Sequence, residues 1–471
     1  MDTKKIKGIV VAAPASGSGK TTITLGLLAA LTRKGIDTAA FKIGPDFIDP
    51  GLHGEITGQP GRNLDGWMLD QNTNLEIFSR GADGAKMAVV EGVMGLYDGF
   101  SGGSEAGSTA QMAKWLGLPV LLVVDAGRMA RSFAAMVKGF VEFDPKVRFC
   151  GVVANNAGSP AHIRYLEEAM ADISEIALLG AIPKDAGVGI PERHLGLFTA
   201  EDKVISDQRT HALADLVSTH TDLDRLITGL DEIPLKQLAN RLRPEPVVRV
   251  AVAKDPAFCF YYQDNLDVLE EQGCQIVFFS PVNDTDLPEN IHGIYLGGGY
   301  PELYAQALSE NLSMRRALQT AVRADMPVYA ECGGFMYLCK SLEDQNGQIF
   351  EMAGVFGFQT VMAKRLCALG YRQIRFLKNT PLDPAGTVVR GHEFHYSFIR
   401  DPKADKTAPD VYETADRAGK NRTAPGWLTN QCLGSYVHLH FRSQPQTGRN
   451  FANACAEFQN KRENIHETPR N

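Results

Sequence analysis

Residues 8–31 read GIVVAAPASGSGKTTITLGLLAAL, and this stretch decides the fold of the amino-terminal part of the chain. Residues 8–13 form an apolar run typical of a buried parallel strand. From Thr21 to Leu31, Leu and Ile recur at helical spacing. The Gly/Ser-rich segment between them is therefore predicted to be a strand-to-helix turn, where an anion can bind the amino terminus of a helix.

This turn carries most of a phosphate-binding loop, whose usual pattern is Gly-x-x-x-x-Gly-Lys-Thr/Ser. In such a loop backbone N–H groups surround phosphate oxygens, the lysine reaches the outer phosphates, and the hydroxyl reaches Mg²⁺. Gly19, Lys20 and Thr21 match the second half of the pattern, but Pro14 stands where the first glycine is usual. Gly17 and Gly19 leave the backbone open to close approach, and Pro14 only fixes φ at the strand exit. We therefore predict a nucleotide site rather than an ordinary turn with a solvated lysine.

The composition is that of a soluble globular protein. The 471 residues are too many for one average domain and suggest two or three. Hydrophobic residues make up 44% and charged residues 22%, and the net charge of −7 argues against a general nucleic-acid binder. The eight cysteines form no Cys-x-x-Cys pair, and no segment approaches about eighteen apolar residues. We therefore expect a cytoplasmic protein with reduced thiols and neither a zinc knuckle nor a disulfide framework.

Strand-like apolar runs alternate with helical stretches in the amino-terminal half. The runs are TAAFKIG, KMAVVEG, PVLLVVDAG, FCGVVANN and IALLGAIP. This alternation predicts βαβ units and a mostly parallel sheet that is covered on both faces. Functional side chains are expected at the carboxyl ends of such strands. The residues found there are Lys42, Asp46, Glu91, Asp125, Asn155 and Asn156.

The pattern loosens over GLDEIPLKQLANRLRPEPVV, a charged and proline-bearing stretch, before a second α/β series begins with VVRVAVAKDPAFCF. We therefore divide the chain into a P-loop domain over residues 1–232, a linker over 233–246, a second domain over 247–460 and a flexible tail over 461–471. The predicted fold class is α/β, with two doubly wound, mostly parallel sheets, and the first sheet is P-loop NTPase-like.

A second candidate site lies in PVYAECGGFMYL, where Cys332 stands between an apolar strand and a predicted helix. A tight strand-to-helix elbow exposes a nucleophile and directs nearby backbone N–H groups, here that of Gly333, at a developing oxyanion. The helix amino terminus and a neighbouring imidazole could activate the thiol. A lone cysteine in a core is otherwise a small buried side chain, so the elbow needs further support.

Two other segments supply that support. YLGGGYPELY is another strand followed by a glycine-rich turn, and Gly298 or Gly299 could offer oxyanion N–H groups. GSYVHLHF places His438 and His440 on one face of a predicted strand near the end of the domain. Together these segments predict a catalytic Cys/His pair, with one of the two histidines structural.

Ordered motifs over nearly the whole chain resemble the cobyrinate a,c-diamide synthase family. The markers are APASGSGKTT, KIGPDFIDPGLH, NLDGWML, VEGVMGLYDG, AFCFYY, FFSP, GGGYPEL, ECGGFMYL, GHEFHYS and SYVHLHF. The resemblance implies an amino-terminal ATP-dependent amidoligase domain similar to dethiobiotin synthetase. It implies a carboxyl-terminal domain similar to class I, triad-type glutamine amidotransferases.

In the carboxyl-terminal domain, the resemblance makes Cys332 the glutaminase nucleophile and His438 the base that activates it. Triad amidotransferases usually carry Glu two positions after this histidine, but His440 stands there in this chain. The orienting group of the triad is therefore unassigned, and His440 is kept as a fallback for the base.

In the amino-terminal domain, the resemblance implies that Lys20 and Thr21 bind ATP phosphates and Mg²⁺. Asp46 and Glu91 are similar to carboxylates that organise metal or phosphate. Loops similar to substrate-contacting ones hold two acidic residues, and an adenine contact is expected from one of two asparagines: Asp49, Asp98, Asn155 and Asn156. Acidic residues after a strand are otherwise helix caps or solvated loop charges.

The family resemblance also implies the reaction. A carboxylate is a poor electrophile at neutral pH, so amide formation needs activation, which ATP can supply as an acyl phosphate. The expected activity is ATP- and glutamine-dependent amidation of the a and c acetate carboxylates of cobyrinate or hydrogenobyrinate, in cobalamin biosynthesis. The expected partners are a tetrapyrrole polycarboxylate, ATP with Mg²⁺, and L-glutamine or ammonia. We expect no nucleic acid or membrane partner, and a homodimer is compatible with the sequence.

Three alternatives stay open at this point. The substrate could be a related tetrapyrrole, nickel sirohydrochlorin or sirohaem. The chain could instead be a regulatory P-loop ATPase with a non-catalytic amidotransferase-like domain, although intact Cys332 and His438 argue against this. It could also be an amidoligase that uses only free ammonia.

Overall fold

The computed structural model describes two compact units, Met1–Asn240 and Arg241–Asn471. None of the helices in the described part of the chain combines the length and apolar character needed to cross a membrane. The described residues are 4–173, 175–184, 206–238, 244–401, 410–422 and 425–467.

The amino-terminal unit is built on one mostly parallel sheet. Its strand order is β3-β2-β4-β1-β5-β6-β7, and the short β8 pairs antiparallel with the start of β1. The strands are β1 (Lys5–Ala12), β2 (Thr38–Ile43), β3 (Arg62–Leu64), β4 (Met87–Glu91), β5 (Val120–Asp125), β6 (Phe149–Ala157), β7 (Leu178–Pro183) and β8 (Glu232–Pro234).

Helices connect these strands, and side-chain caps set where several of them begin. Asp70, Ser108 and Ser159 each accept a hydrogen bond from the backbone N–H three residues later, at the starts of the third, fourth and sixth helices. The helices are α1 (Lys20–Arg33), α2 (Ile48–Thr57), α3 (Gln71–Gly81), α4 (Thr109–Leu116), α5 (Arg131–Phe143), α6 (Pro160–Ala171), α7 (Asp207–His220) and α8 (Leu223–Thr228).

The carboxyl-terminal unit has a second sheet, of order β10-β9-β11-β12-β22-β21, whose pairs are parallel except the last. Two further sheets have the orders β14-β13-β15-β18 and β20-β19-β16-β17-β23. The strands are β9 (Val248–Ala253), β10 (Cys274–Phe279), β11 (Gly293–Leu296), β12 (Val328–Glu331), β13 (Cys339–Glu343), β14 (Ile349–Glu351), β15 (Phe356–Met362), β16 (Ala368–Phe376), β17 (Val388–His395), β18 (Ser397–Arg400), β19 (Tyr412–Asp416), β20 (Asn421–Arg422), β21 (Gly426–Thr429), β22 (Cys432–Ser435) and β23 (His438–Leu439).

Five helices belong to this unit, as far as its described residues show. They are α9 (Gln263–Glu271), α10 (Ala305–Glu310), α11 (Leu312–Arg323), α12 (Gly333–Leu338) and α13 (Thr447–Glu467). One core packs α10, α11 and α12 on one face of the main sheet, and a second core joins α9 and α13 to strands β16, β17 and β19.

The parallel sheets of both units confirm the predicted α/β class. The segment 233–246, interpreted from the sequence as a linker, begins inside the edge strand β8, and residues 239–243 lie outside the described residues. Helix α13 continues to Glu467, beyond residue 461 where a flexible tail was expected. Because the strands of each main sheet are parallel apart from β8 and β21, the carboxyl ends of the parallel strands meet at one edge of that sheet. The candidate site of each unit lies at this edge.

Candidate active sites

The phosphate-loop turn follows β1 and ends where α1 begins. Gly17 and Gly19 have φ of 81° and 92°, in the left-handed region that glycine adopts without strain. A Cβ on Gly19 would lie 2.1 Å from Asn155 Nδ2, which itself donates a 3.0 Å hydrogen bond to the Ser18 carbonyl. Asn155, at the end of β6, therefore lies against the loop, and only glycine fits between them.

Lys20 is buried and folds over the same turn. Its Nζ donates hydrogen bonds to the carbonyl oxygens of Ala15, at 3.3 Å, and Met94, at 2.5 Å. Burial and the neighbouring Lys42 ammonium lower the pKa of Lys20 to about 8. An anionic phosphate is a better partner for this ammonium than two neutral carbonyls, so the loop is suited to receive one.

A buried carboxylate, Glu91, organises the charges beside the loop. It accepts hydrogen bonds from Thr21 Oγ1 at 2.6 Å, Lys42 Nζ at 2.9 Å and His53 Nε2 at 2.8 Å. Lys42 also pairs with Asp49 at 2.7 Å. Although burial opposes it, the charges of Lys42 and His53 hold the pKa of Glu91 well below its usual range. Burial lowers the pKa of Lys42, but the charges of Glu91 and Asp49 outweigh burial and raise that pKa above its usual value.

The other predicted polar residues of this unit are engaged locally. Asp46 Oδ1 accepts hydrogen bonds from the N–H groups of Ile48 and Asp49 at the start of α2, as the helix-capping alternative expects. Asp98 Oδ2 accepts from the Gly95 N–H at 3.0 Å in the loop after β4. The charges of Asp49, Glu91 and Asp98 each act to raise the pKa of Lys20, against the effect of burial.

Two residues of this cluster were not assigned a role from the sequence. The sequence pattern places Lys42 at the end of a strand without indicating its role, and it does not single out His53. Helical spacing is the sequence signal that points to His53, because Asp49 and His53 are four residues apart on α2 and therefore share a face.

In the described ranges, no group of three or more His, Cys, Asp or Glu side chains is arranged to hold a metal by itself. Thr21 Oγ1 and Glu91 Oε1 are adjacent oxygen donors of the type that Mg²⁺ uses together with phosphate.

In the carboxyl-terminal unit, Cys332 occupies the elbow between β12 and α12. Its backbone has φ 49° and ψ −107°, a conformation that L-residues rarely adopt outside functional sites. The Cys332 N–H donates to the Ser435 carbonyl at 2.8 Å, so β22 supports the elbow. The strain and its support agree with the predicted nucleophile elbow.

Glycines leave room around the thiol. A Cβ on Gly298 would lie 2.4 Å from His438 Cε1, and a Cβ on Gly333 would lie 2.9 Å from the Gly299 nitrogen. The N–H of Gly298, however, donates to the Phe260 carbonyl at 3.2 Å. The expectation that Gly298 supplies an oxyanion N–H is therefore corrected. Gly298 instead leaves the space that the His438 ring occupies. Gly299 and Gly333 border the same space and remain candidates for the oxyanion donors.

The structure separates the two histidines of the YVHLH segment. His438 hydrogen-bonds to Cys332, and its Nδ1 lies 3.7 Å from Glu331 Oε1. Burial alone would lower its pKa, but the thiolate of Cys332 and the carboxylate of Glu331 raise it to about 10. His440 instead packs against Tyr262, with ring centroids 4.6 Å apart, and burial lowers its pKa to about 4. His438 is thus the imidazole beside the thiol.

Two protein-family models match different parts of the chain. A protein-family model described as the CobQ/CobB/MinD/ParA nucleotide binding domain matches residues 9–198. A second, the CobB/CobQ-like glutamine amidotransferase domain, matches residues 249–446. The amino-terminal unit is therefore a nucleotide-binding unit, and the carboxyl-terminal unit is an amidotransferase domain.

Curated relatives match over nearly the whole chain. One from Syntrophotalea carbinolica is 42% identical over 95% of this chain and 98% of its own length. One from Dehalococcoides mccartyi is 41% identical over 96% of this chain and 98% of its own length. One from Salmonella typhimurium is 41% identical over 93% of this chain and 95% of its own length. All three carry the name cobyrinate a,c-diamide synthase.

The packing of Gly19 against Asn155 leads to a first prediction. We expect Gly19→Ala to weaken ATP binding at least about tenfold, or about 1.4 kcal/mol, because the new methyl group displaces Asn155 and strains the loop. Titration calorimetry with ATP measures the effect. Gly35→Ala is the matched control, since Gly35 also has positive φ, 70°, but has no atom within 4 Å of an added Cβ. Equal ATP affinity in the two variants would contradict the prediction.

Proposed function

Because the chain belongs to the cobyrinate a,c-diamide synthase family, we propose that it amidates the a and c acetate carboxylates of cobyrinate or hydrogenobyrinate. ATP is the activating reagent and glutamine the nitrogen donor. The observation that carries the proposal is the pairing of two chemistries in one chain: a phosphate loop with a buried Lys42–Glu91 pair, and a Cys332–His438 pair on a strained elbow.

The amino-terminal unit activates the carboxylate. The substrate carboxylate attacks the γ-phosphate of ATP, which forms an acyl phosphate and releases ADP. Lys20 leaves its carbonyl partners to bind the outer phosphates, where its charge stabilises the transferring group. Thr21, Glu91 and Asp46 are the oxygen donors that would hold Mg²⁺, whose charge would neutralise the phosphates.

The remaining polar residues of this unit are proposed to bind ligands. Asn155, which lies against Ser18 and Gly19 of the loop, is the candidate adenine contact. Asp49 and Asp98 act on Lys20 by charge and are the candidate substrate contacts. Lys42 offsets the negative charge of Asp49 and Glu91, which allows two carboxylates to lie beside anionic substrates.

The carboxyl-terminal unit releases ammonia. The Cys332 thiolate attacks the side-chain amide carbon of glutamine, while N–H groups of Gly299 and Gly333 stabilise the oxyanion. The imidazolium of His438 donates its proton to the leaving nitrogen, and water then hydrolyses the thioester to glutamate. Ammonia attacks the acyl phosphate in its unprotonated form, forms the amide and expels phosphate. Mg²⁺ binding, a homodimer and a cytoplasmic location stay predictions.

A second prediction separates the two chemistries by nitrogen donor. We expect Cys332→Ser to lower glutamine-dependent synthesis at least about a hundredfold and to preserve ammonia-dependent synthesis, since the thiol only releases nitrogen. Lys20→Ala should abolish synthesis with both donors, because carboxylate activation precedes nitrogen entry. Amide formation is followed by mass spectrometry with glutamine or ammonium chloride.

The two histidines supply the control for this experiment. His438→Ala should reproduce the Cys332→Ser profile, whereas His440→Ala should keep glutamine-dependent synthesis within about fivefold, because His440 packs against Tyr262 instead of the thiol. If Cys332→Ser impaired both donors equally, the glutaminase assignment would be wrong. If the two histidine variants reversed in severity, the base would be His440.

A third prediction concerns the substrate. Purified protein is given ATP, Mg²⁺ and glutamine with cobyrinate, hydrogenobyrinate, nickel sirohydrochlorin or sirohaem. We expect two amidations of cobyrinate or hydrogenobyrinate and faster turnover of these than of the other two, measured by the mass change of each product. Preferential amidation of nickel sirohydrochlorin or sirohaem would contradict the substrate proposal and leave the amidoligase chemistry intact.

A further inference from the structure

We propose that Glu331 is the third member of the catalytic triad, a positioning residue that faces the Nδ1 atom of His438. This inference rests on the proposed glutaminase function of Cys332. Glu331 is the last residue of β12 and directly precedes the nucleophile, so it approaches the imidazole from a different strand than the usual triad glutamate. The sequence position two residues after the base, where that glutamate is expected, holds His440.

The carboxylate of Glu331 is completely buried and is fixed by three hydrogen-bond donors. Tyr295 Oη donates to Oε1 at 2.7 Å, Tyr329 Oη donates to Oε2 at 2.8 Å, and the Leu439 N–H donates to Oε2 at 3.3 Å. Burial and the neighbouring carboxylate raise the pKa of both tyrosines well above the usual value, so both keep the protons that they donate. A buried carboxylate that accepts from three donors is held in one position.

The same carboxylate fixes the backbone that carries the imidazole. Leu439 follows His438 directly, and its N–H binds Glu331 while its carbonyl accepts a 2.8 Å hydrogen bond from Asn265 Nδ2. Asn265 Oδ1 also accepts from the Phe441 N–H at 2.8 Å. The segment that presents His438 is therefore held on both sides. Its Nδ1 lies 3.7 Å from Glu331 Oε1, which is within ion-pair distance but longer than a hydrogen bond.

This arrangement gives each ring nitrogen of His438 a distinct role. Because Nδ1 faces Glu331, Nε2 is the ring nitrogen that hydrogen-bonds to Cys332. The proton that leaves Cys332 Sγ moves to Nε2 and is later donated to the departing ammonia. Glu331 exchanges no proton; it orients the ring and stabilises the imidazolium, the role of the third group in Ser-His-Asp and Cys-His triads.

The other titratable groups around His438 do not replace this carboxylate. His392 on β17 stacks on the ring with centroids 5.0 Å apart and hydrogen-bonds Tyr262 Oη through Nδ1. Burial and the nearby charges of His438 and Arg372 lower its pKa well below the usual value, so it is neutral. His440 has no hydrogen-bond partner for either ring nitrogen among the described residues. The anionic groups that act on His438 are Cys332 and Glu331.

The test compares Glu331→Gln with Asp383→Asn, which alters another buried carboxylate of this unit, one bound to Thr447 and Asn450. We expect Glu331→Gln to lower kcat for glutamine hydrolysis about a hundredfold or more, with KM within about threefold. The ¹⁵N resonances of the His438 ring, assigned with His438→Ala, should show a lower pKa for the imidazole. Asp383→Asn should leave kcat and the His438 titration as in the unaltered protein, and ammonia-dependent synthesis should survive in both variants.

Each outcome decides the inference. A fall in kcat with an unchanged His438 titration would mean that Glu331 is only structural, and a changed titration with normal kcat would mean that its charge does not serve the reaction. Either result overturns the proposal. Loss of ammonia-dependent synthesis would show that Glu331→Gln is misfolded. In that case the milder Tyr329→Phe, which removes one hydrogen-bond donor to the carboxylate, is tested in its place. The same two measurements, kcat for glutamine hydrolysis and the His438 titration, then decide. Absence of glutamine hydrolysis in the unaltered protein would instead reject the proposed function itself.

Discussion

A fully buried carboxylate at the end of a parallel strand lies at the centre of each candidate site. Glu91 ends β4 and binds Thr21, Lys42 and His53; Glu331 ends β12 and binds two tyrosine hydroxyls and a backbone N–H. Removing a carboxylate from water is costly, and it is tolerated only when donors and cations satisfy the oxygens. Breaking such a buried pair by removing one partner typically costs about 3–5 kcal/mol.

These carboxylates organise what surrounds them. Glu91 connects the first residues of α1, through Thr21, with the last residues of β2, through Lys42, and with α2, through His53. Glu331 connects β11, β12 and the segment of β23 that carries His438. In both units the parallel sheet brings the strand ends to one edge, and the buried charge then determines which side chains converge there.

The sequence predicted the features that depend on local pattern. Apolar runs between helical stretches indicated both parallel sheets, and the glycine-flanked turns at Lys20 and Cys332 indicated strand-to-helix elbows. Features that depend on distant partners were not predictable in this way. The N–H of Gly298 is used by Phe260, and Asp46 binds the start of α2, contacts that no spacing rule reveals. The position of Glu331 beside His438 depends on the pairing of β12 with β22, more than 100 residues later in the chain.

The central claim is that one chain joins carboxylate activation to nitrogen release. It is tested most directly with a tetrapyrrole substrate labelled with ¹⁸O in its carboxylates, incubated with ATP and glutamine. If the carboxylate attacks the γ-phosphate of ATP, one carboxylate oxygen leaves with phosphate when ammonia displaces it. The account predicts one labelled oxygen in inorganic phosphate for each amide formed, with ADP as the other product. Amide formation with unlabelled phosphate, or with the label in AMP, would contradict it.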